Sequence, residues 1–365
     1  MRFVSAGLAF VVAVGFAGSY ACGGSTPPPA PPPMPTGDTL GSPTALAPIP
    51  DDAAAPSASA AASAAPGATS TSGQATILLK NLHAPNALAL DKTSIYWVDE
   101  LDGDVARIPK RGGTQMTVYA GNGSPFASNS SIAVDDTDVY WTSQIDKSSS
   151  LTRQDKNGGK PTVVTSSTFA VIQCIAIDDH DMFWVLGGGI IKQSKSGGGP
   201  QALAGGFKGA DCIAVDDAHV YWSVGGTPEN KFTDGVIVES TKGGANTRVL
   251  VRGAENAANV HSDANYVYWQ SGAKVFKASK AKGEPVKLAE ASGKVADIAI
   301  DDTWVYFLTP DAVARVPKEG GKGQTYVDHL DTPTSIGVDG TSVYFTTRGT
   351  EAGKWHDGTL GKVDK

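Results

Sequence analysis

The sequence predicts an all-β protein, a seven-bladed β-propeller whose last blade is completed by its N-terminal strand. Three observations lead there. An apolar run ending in Asp, with Ile-Ala-Val-Asp-Asp as its clearest form, followed by an aromatic pair recurs seven times. The period is close to forty residues, which suits one four-stranded blade per repeat. The chain ends one strand short of a last blade, and a spare strand precedes the first repeat.

The clearest copy is Ile132-Ala133-Val134-Asp135-Asp136-Thr137-Asp138-Val139-Tyr140-Trp141-Thr142. Equivalents begin at Leu88, Ile175, Ile213, Val260, Ile298 and Ile336. The aromatic pairs are Tyr96-Trp97, Tyr140-Trp141, Phe183-Trp184, Tyr221-Trp222, Tyr268-Trp269, Tyr306-Phe307 and Tyr344-Phe345, spaced by 44, 43, 38, 47, 38 and 38 residues. Each repeat carries four strand signals. An apolar run ends in Asp, and the aromatic run follows a tight turn. A third run ends in a basic residue and then Lys, as in Val105-Ala106-Arg107-Ile108-Pro109-Lys110. A glycine pair such as Gly112-Gly113 then turns the chain into a short β-branched strand. The seventh repeat stops at Lys365, where its third strand finishes, and Ala75-Thr76-Ile77-Leu78-Leu79-Lys80 has no blade of its own. Pairing the two closes the ring and leaves no open seam.

The first seventy-four residues read differently. Met1 and Arg2 precede an apolar run from Phe3 to Ala17, too short to span a membrane comfortably. Residues 1–21 are therefore expected to be a signal peptide, cleaved after Ser19-Tyr20-Ala21. Cys22, followed by Gly23-Gly24, resembles the lipobox cysteine of bacterial lipoproteins, which implies a lipid anchor. Residues 22–74 are rich in Pro, Ala and Ser and cannot bury enough apolar surface to offset their ordering entropy. They are expected to form a disordered tether with a reach of roughly 40 Å. Residues 75–365 form the propeller.

Tyr140-Trp141-Thr142 and Tyr96-Trp97-Val98-Asp99 resemble the YWTD-type and NHL-like repeat propellers. The Ile-Ala-Val-Asp-Asp and Lys-x-Gly-Gly repeats are also similar to those of secreted bacterial propeller lipoproteins. Neither resemblance implies an activity.

The chemistry-bearing residues mostly have structural readings. Cys174 and Cys212 occupy one slot in the first strands of blades three and four. In a propeller of this size equivalent Cα atoms of neighbouring first strands stand about 6–7 Å apart, at the edge of disulfide reach. An exported compartment favours the bridge. The Asp-Asp pairs at 135, 178, 216 and 301 recur at one turn and read as turn caps. The aromatic pairs read as packing between blades. Arg107, Arg153, Lys192, Lys277, Arg315 and Lys362 sit on third strands and are expected to face solvent. No motif for a catalytic serine, a zinc site or a phosphate loop is present, and no cofactor is expected. His261 replaces a small first-strand residue and should stand near the central axis.

One asymmetry points to binding. Blades four and seven carry similar long insertions between their second and third strands, Gly226–Gly235 and Gly349–Gly358. They align without a gap and present Lys231, Phe232 and Asp234 in one loop and Lys354, Trp355, His356 and Asp357 in the other. Loops on a rigid scaffold often carry function. The expected function is non-catalytic binding or scaffolding in the bacterial cell envelope, with an envelope protein or glycan as partner, a membrane contact by lipid anchor only, and a monomeric ring. The net charge of −7 argues against nucleic acid. The alternative is a metal-dependent lactonase or lyase centred on the channel, where Asp211, Gln173, Asn259, Asp297 and His261 are the available groups.

Overall fold

In the computed structural model, the described residues are 74–126 and 130–365. The expected signal peptide, its cleavage site, Cys22 and the tether through residue 73 lie outside them.

The described chain folds into seven four-stranded antiparallel sheets. Six are built from consecutive strands. The seventh combines Pro333–Val338, Ser342–Thr347 and Gly358–Asp364 with Thr76–Leu82 from the start of the domain. Thr76 pairs with Lys362 and Leu82 with Gly358, so the ring is closed as the sequence requires.

Each sheet alone would expose two apolar faces. The cost is avoided at seven seams, each filled by one cluster that draws on two neighbouring blades. Phe183, Val185 and Ile190 of blade three meet Ile213, Val220 and Trp222 of blade four. The closing seam is packed in the same way, with Leu82, Tyr344 and Leu360 against Ile95, Trp97 and Ile108. The aromatic pair places one ring in each adjoining seam, because successive strand residues point to opposite faces. Tyr140 and Trp141 are both essentially inaccessible to solvent.

The Asp-Asp turns cap themselves and do more. Asp135 Oδ1 accepts from the N–H groups of Thr137 and Asp138, while Oδ2 accepts from the Tyr140 hydroxyl at 2.9 Å. The same Oδ2 pairs with Lys195 of the following blade at 2.6 Å. This link repeats around the whole ring: Lys156–Asp91, Lys195–Asp135, Lys242–Asp178, Lys280–Asp216, Lys318–Asp263, Lys365–Asp301 and finally Lys110–Asp339 across the closing seam. The lysine is the one that ends each third strand. Burial alone would raise the Asp216 carboxyl, but Lys280, two backbone N–H groups and the Tyr221 hydroxyl hold it down at about 2.

The third-strand cations are not the solvated set expected from the sequence. Lys277 is buried, and its ammonium donates to the Lys318 carbonyl of the next blade at 2.5 Å. Arg153 and Lys192 reach the Lys195 and Lys242 carbonyls in the same manner. Blades pack face to face, so a long side chain on a third strand is carried into the seam rather than outward.

Candidate functional site at the channel mouth

First strands line the axis. Their equivalent slots hold Ala87, Ser131, Cys174, Cys212, Asn259, Asp297 and Ser335, and all seven border one cavity of about 300 Å³. These side chains clasp neighbouring blades. Cys174 and Cys212 form a disulfide with Cα atoms 5.0 Å apart, closer than the spacing expected from the sequence. Ser131 Oγ accepts from the Ile175 N–H. Asp297 accepts from the Ser335 hydroxyl and the Ile336 N–H, both at 3.0 Å, and from Asn259 Nδ2 at 3.3 Å. Desolvation lifts the Asp297 carboxyl to about 6 despite those bonds, and lowers His261 to about 4. Among the described residues no three His, Cys, Asp or Glu side chains gather as ligands for a metal ion.

Beside the cavity lies a groove of about 450 Å³ bordered by blades four, five and six. Asp211, Asn259 and Ala296 belong to both spaces. Phe232, Gln270, Lys294 and Asn256 complete the groove. Asp211 Oδ2 accepts from the Asn259 N–H at 3.3 Å. Desolvation raises the Asp211 carboxyl although Lys294 pulls it down. Gln270 is 5% exposed, and its side-chain oxygen has no hydrogen-bond partner among the described residues.

The opposite end of the channel is a vestibule of about 690 Å³ lined by the Asp turns. Its Asp91, Asp135, Asp178 and Asp339 carboxylates are already paired with the seam lysines.

The two insertions share one backbone design. Thr227 donates to Asp234 through its N–H at 2.7 Å and its hydroxyl at 2.8 Å, and Thr350 does the same to Asp357 at 2.7 and 2.6 Å. Lys231 and Phe232 both have positive φ, as do Lys354 and Trp355. Gly226 and Gly349 are obligatory here, because a Cβ at either would stand 2.7 or 2.2 Å from that carboxylate. Asp234 and Asp357 are thus engaged inside their own loops, and the Asn230 amide together with the Thr227 N–H and hydroxyl holds Asp234 at about 2. Lys231 and Lys354 are exposed.

The aromatics differ. Phe232 is 42% exposed beside the groove, its carbonyl fixed by the Asn256 N–H at 3.0 Å. Trp355 is half-buried under the Arg348 guanidinium, 5.3 Å from the ring centre, and Arg348 pairs with the buried Glu100 at 3.2 Å. His356 packs edge-on to His83, which is bonded to Asp102. The gapless alignment places Gly225 opposite Arg348, so nothing equivalent covers Phe232. Gln270, Lys294 and Arg348 were not singled out from the sequence. Gln270 is a one-blade departure from the repeat, and the other two gain meaning only from their neighbours.

These features define the chain as a seven-bladed propeller with a polar channel mouth and an exposed aromatic, Phe232, in the groove beside it. No family model and no curated protein matches the sequence. Solved structures with the same fold include virginiamycin B lyase from Staphylococcus aureus, with a TM-score of 0.63 and 13% identity over 80% of this chain and 98% of that one. A streptogramin B lyase gives 0.61 and 12% over 80% and 97%. PorZ, a surface component of the type-IX secretion system of Porphyromonas gingivalis, gives 0.53 and 13% over 74% of this chain and 36% of its own. At such identities the likeness is one of fold alone.

Proposed function

We propose that the chain is an exported binding protein of the bacterial envelope, which engages an envelope protein or glycan through the channel-mouth face of its propeller. The observation that carries this reading is the groove beside the mouth, where Phe232 stays 42% exposed on a stapled loop. An exposed aromatic on a loop fixed by a carboxylate staple offers apolar area with little further ordering entropy. The Cys174–Cys212 disulfide suits an oxidising compartment. The N-terminal apolar run supplies export, Cys22 the lipid anchor and residues 22–74 the tether. Palmitate labelling that persists in Cys22→Ser would remove the anchor from this account.

The test of the binding role uses envelope extract passed over immobilised wild-type protein, Phe232→Ala and Trp355→Ala. The reading expects a retained component that is lost with Phe232→Ala and kept with Trp355→Ala. Equal retention by all three proteins would exclude the groove.

A second reading, a lyase or lactonase at the same mouth, is favoured by Asp211, a carboxyl lifted by burial at the edge of the cavity. It predicts that Asp211→Asn abolishes ring opening of a lactone substrate.

A further inference from the structure

Two histidines far apart in the chain meet where the ring closes. His83 lies in the connector between the borrowed strand Thr76–Leu82 and Pro85–Leu90, the first strand of blade one. His356 lies in the insertion of blade seven. Their ring centres are 4.5 Å apart and the rings stand nearly perpendicular. Neither residue belongs to the repeat. Five residues before the first-strand markers of blades three to seven stand Ala170, Lys208, Glu255, Gly293 and Asp331, where blade one has His83. The twin loop of blade four has Thr233 where blade seven has His356. Two separate departures from the pattern are thus in contact.

Both backbones are fixed. The His83 N–H donates to Asp99 Oδ1 at 3.1 Å, and its carbonyl accepts from the Leu101 N–H at 3.2 Å. The His356 N–H donates to the Gly353 carbonyl at 3.0 Å, inside the stapled loop. The side chains are prepared differently. His83 Nδ1 lies 2.5 Å from Asp102 Oδ2. A carboxylate only accepts, so the hydrogen sits on Nδ1 and the neutral ring carries its lone pair on Nε2. An imidazole held by a carboxylate at one nitrogen and open at the other is the usual form of a metal-ligating histidine. The His356 ring is exposed and makes no hydrogen bond to another described residue. An ion about 2.0–2.1 Å from each of two nitrogens needs them roughly 3–4 Å apart. Rings with centres 4.5 Å apart reach that by a turn of His356 about its side-chain bonds.

We propose that His83 and His356 together bind one divalent transition-metal ion, Cu²⁺ most tightly, with Asp102 orienting His83 and water completing the coordination. Asp102 is engaged at Nδ1, so the protein supplies two ligands, both imidazole. Imidazole suits copper, nickel and zinc, whereas Mg²⁺ and Ca²⁺ take oxygen ligands. Cu²⁺ stands highest in the affinity order of the divalent series, and its tetragonal preference accepts two nitrogens with water beside them. A structural zinc site would require four protein ligands. The bound ion joins the connector behind the borrowed strand to the insertion of blade seven, and so fastens the closing seam from outside. An ion that binds the closed ring and not the unfolded chain stabilises the ring by mass action.

The experiment is calorimetric titration of the untagged full chain with Cu²⁺, Zn²⁺ and Mg²⁺, with electron paramagnetic resonance of the one-to-one Cu²⁺ complex. One Cu²⁺ per chain is expected to bind more tightly than Zn²⁺, with coupling to two imidazole nitrogens, and Mg²⁺ is expected not to bind. His83→Ala and His356→Ala should each weaken Cu²⁺ binding at least about tenfold and leave coupling to one nitrogen at most. Asp102→Ala should weaken it about tenfold with both nitrogens retained, the mark of a positioning residue. Zn²⁺ should raise the melting temperature of wild-type protein and leave that of His356→Ala unchanged. His356 is exposed, so its replacement does not threaten folding, and His356→Gln should behave as His356→Ala does. The proposal is overturned if the Cu²⁺ complex shows fewer than two imidazole nitrogens, or if either histidine variant binds Cu²⁺ as tightly as wild type. A rise in melting temperature with Zn²⁺ that persists in His356→Ala would place the ion elsewhere and overturn the clasp. Loss of stability in His356→Ala with no metal bound by any variant would reduce the pair to ring packing.

Discussion

Blades four and seven carry the same insertion and use it differently. Both loops are held by a threonine–aspartate staple and both turn their aromatic through two residues of positive φ. In blade seven the aromatic is roofed by Arg348, which neutralises the buried Glu100 of blade one. In blade four the equivalent position is Gly225, and Phe232 is left open beside the groove. One backbone thus serves as a brace where the ring closes and as a platform where it does not. The loops differ in the residue before the staple, Gly225 against Arg348, and in the aromatic itself.

The largest contrast concerns the blades themselves. Blade four is one continuous stretch of chain, whereas blade seven depends on Thr76–Leu82. Deleting residues 75–82 opens an edge and empties part of a seam. A single cooperative melt should then be lost to aggregation or a broad transition. A deletion variant that melts like the parent would show that blade seven does not need its borrowed strand.

The inner slots differ as well. Blade four is tied to blade three by Cys174–Cys212, while blade seven is tied to blade six by hydrogen bonds to Asp297. The disulfide closes a loop of 38 residues, which corresponds to about 4 kcal/mol in the chain-entropy account. Cys212→Ser should therefore lower stability by up to about 4 kcal/mol in denaturant titration. A loss below about 1 kcal/mol would show that the unfolded chain gains little from the link being broken.

The Asp297 seam should respond to pH in the opposite sense to the turn carboxylates. Its carboxyl is raised to about 6, so the folded protein holds a proton that the unfolded chain releases near 4. That contribution is present below about pH 4 and lost as pH rises through 6, amounting to at most about 3 kcal/mol. Asp216 and Asp263 are lowered to about 2, so their contribution is present above about pH 4 and lost as pH falls through 2. Asp297→Asn should flatten the decline between pH 4 and 6 in stability measured by denaturant. An unaltered slope would place the titration elsewhere.

A small effect on stability is expected from transplanting the brace. A Cβ at Gly225 meets only Ala257 O at 3.7 Å and Asn256 Oδ1 at 3.8 Å, ordinary contact distances. Gly225→Arg should fold with a change within about 1 kcal/mol, cover Phe232 and abolish capture from envelope extract. Retained capture would separate Phe232 from binding.

The ring was legible because it is written in repetition. Seven copies of the aromatic run gave the blade number, the spare strand before the first repeat gave the closure, and a shared slot paired Cys174 with Cys212. The Asp turn was readable as a cap because the residue chemistry is local. Its second role, receiving a lysine from the next blade, needed the order of the blades in space. The third-strand cations were misplaced for the same reason: period gives their strand, but only the seam shows that Lys277 is enclosed. The site is harder still. Gln270, Lys294 and Gly225 are single departures from a repeat, and a departure is informative only when its neighbours are known. The two loops were found from the sequence as a pair, but their divergence came from Arg348, a residue outside the insertion.

The central claim is that the blade-seven aromatic supports the fold and the blade-four aromatic does not. It is tested most directly by denaturant titration of Trp355→Ala and Phe232→Ala side by side. Trp355→Ala removes a half-buried ring and the π face on which Arg348 rests, and should cost about 1–3 kcal/mol. Phe232→Ala should stay within about 0.5 kcal/mol of wild type. Equal losses in the two variants, or none in either, would contradict the account.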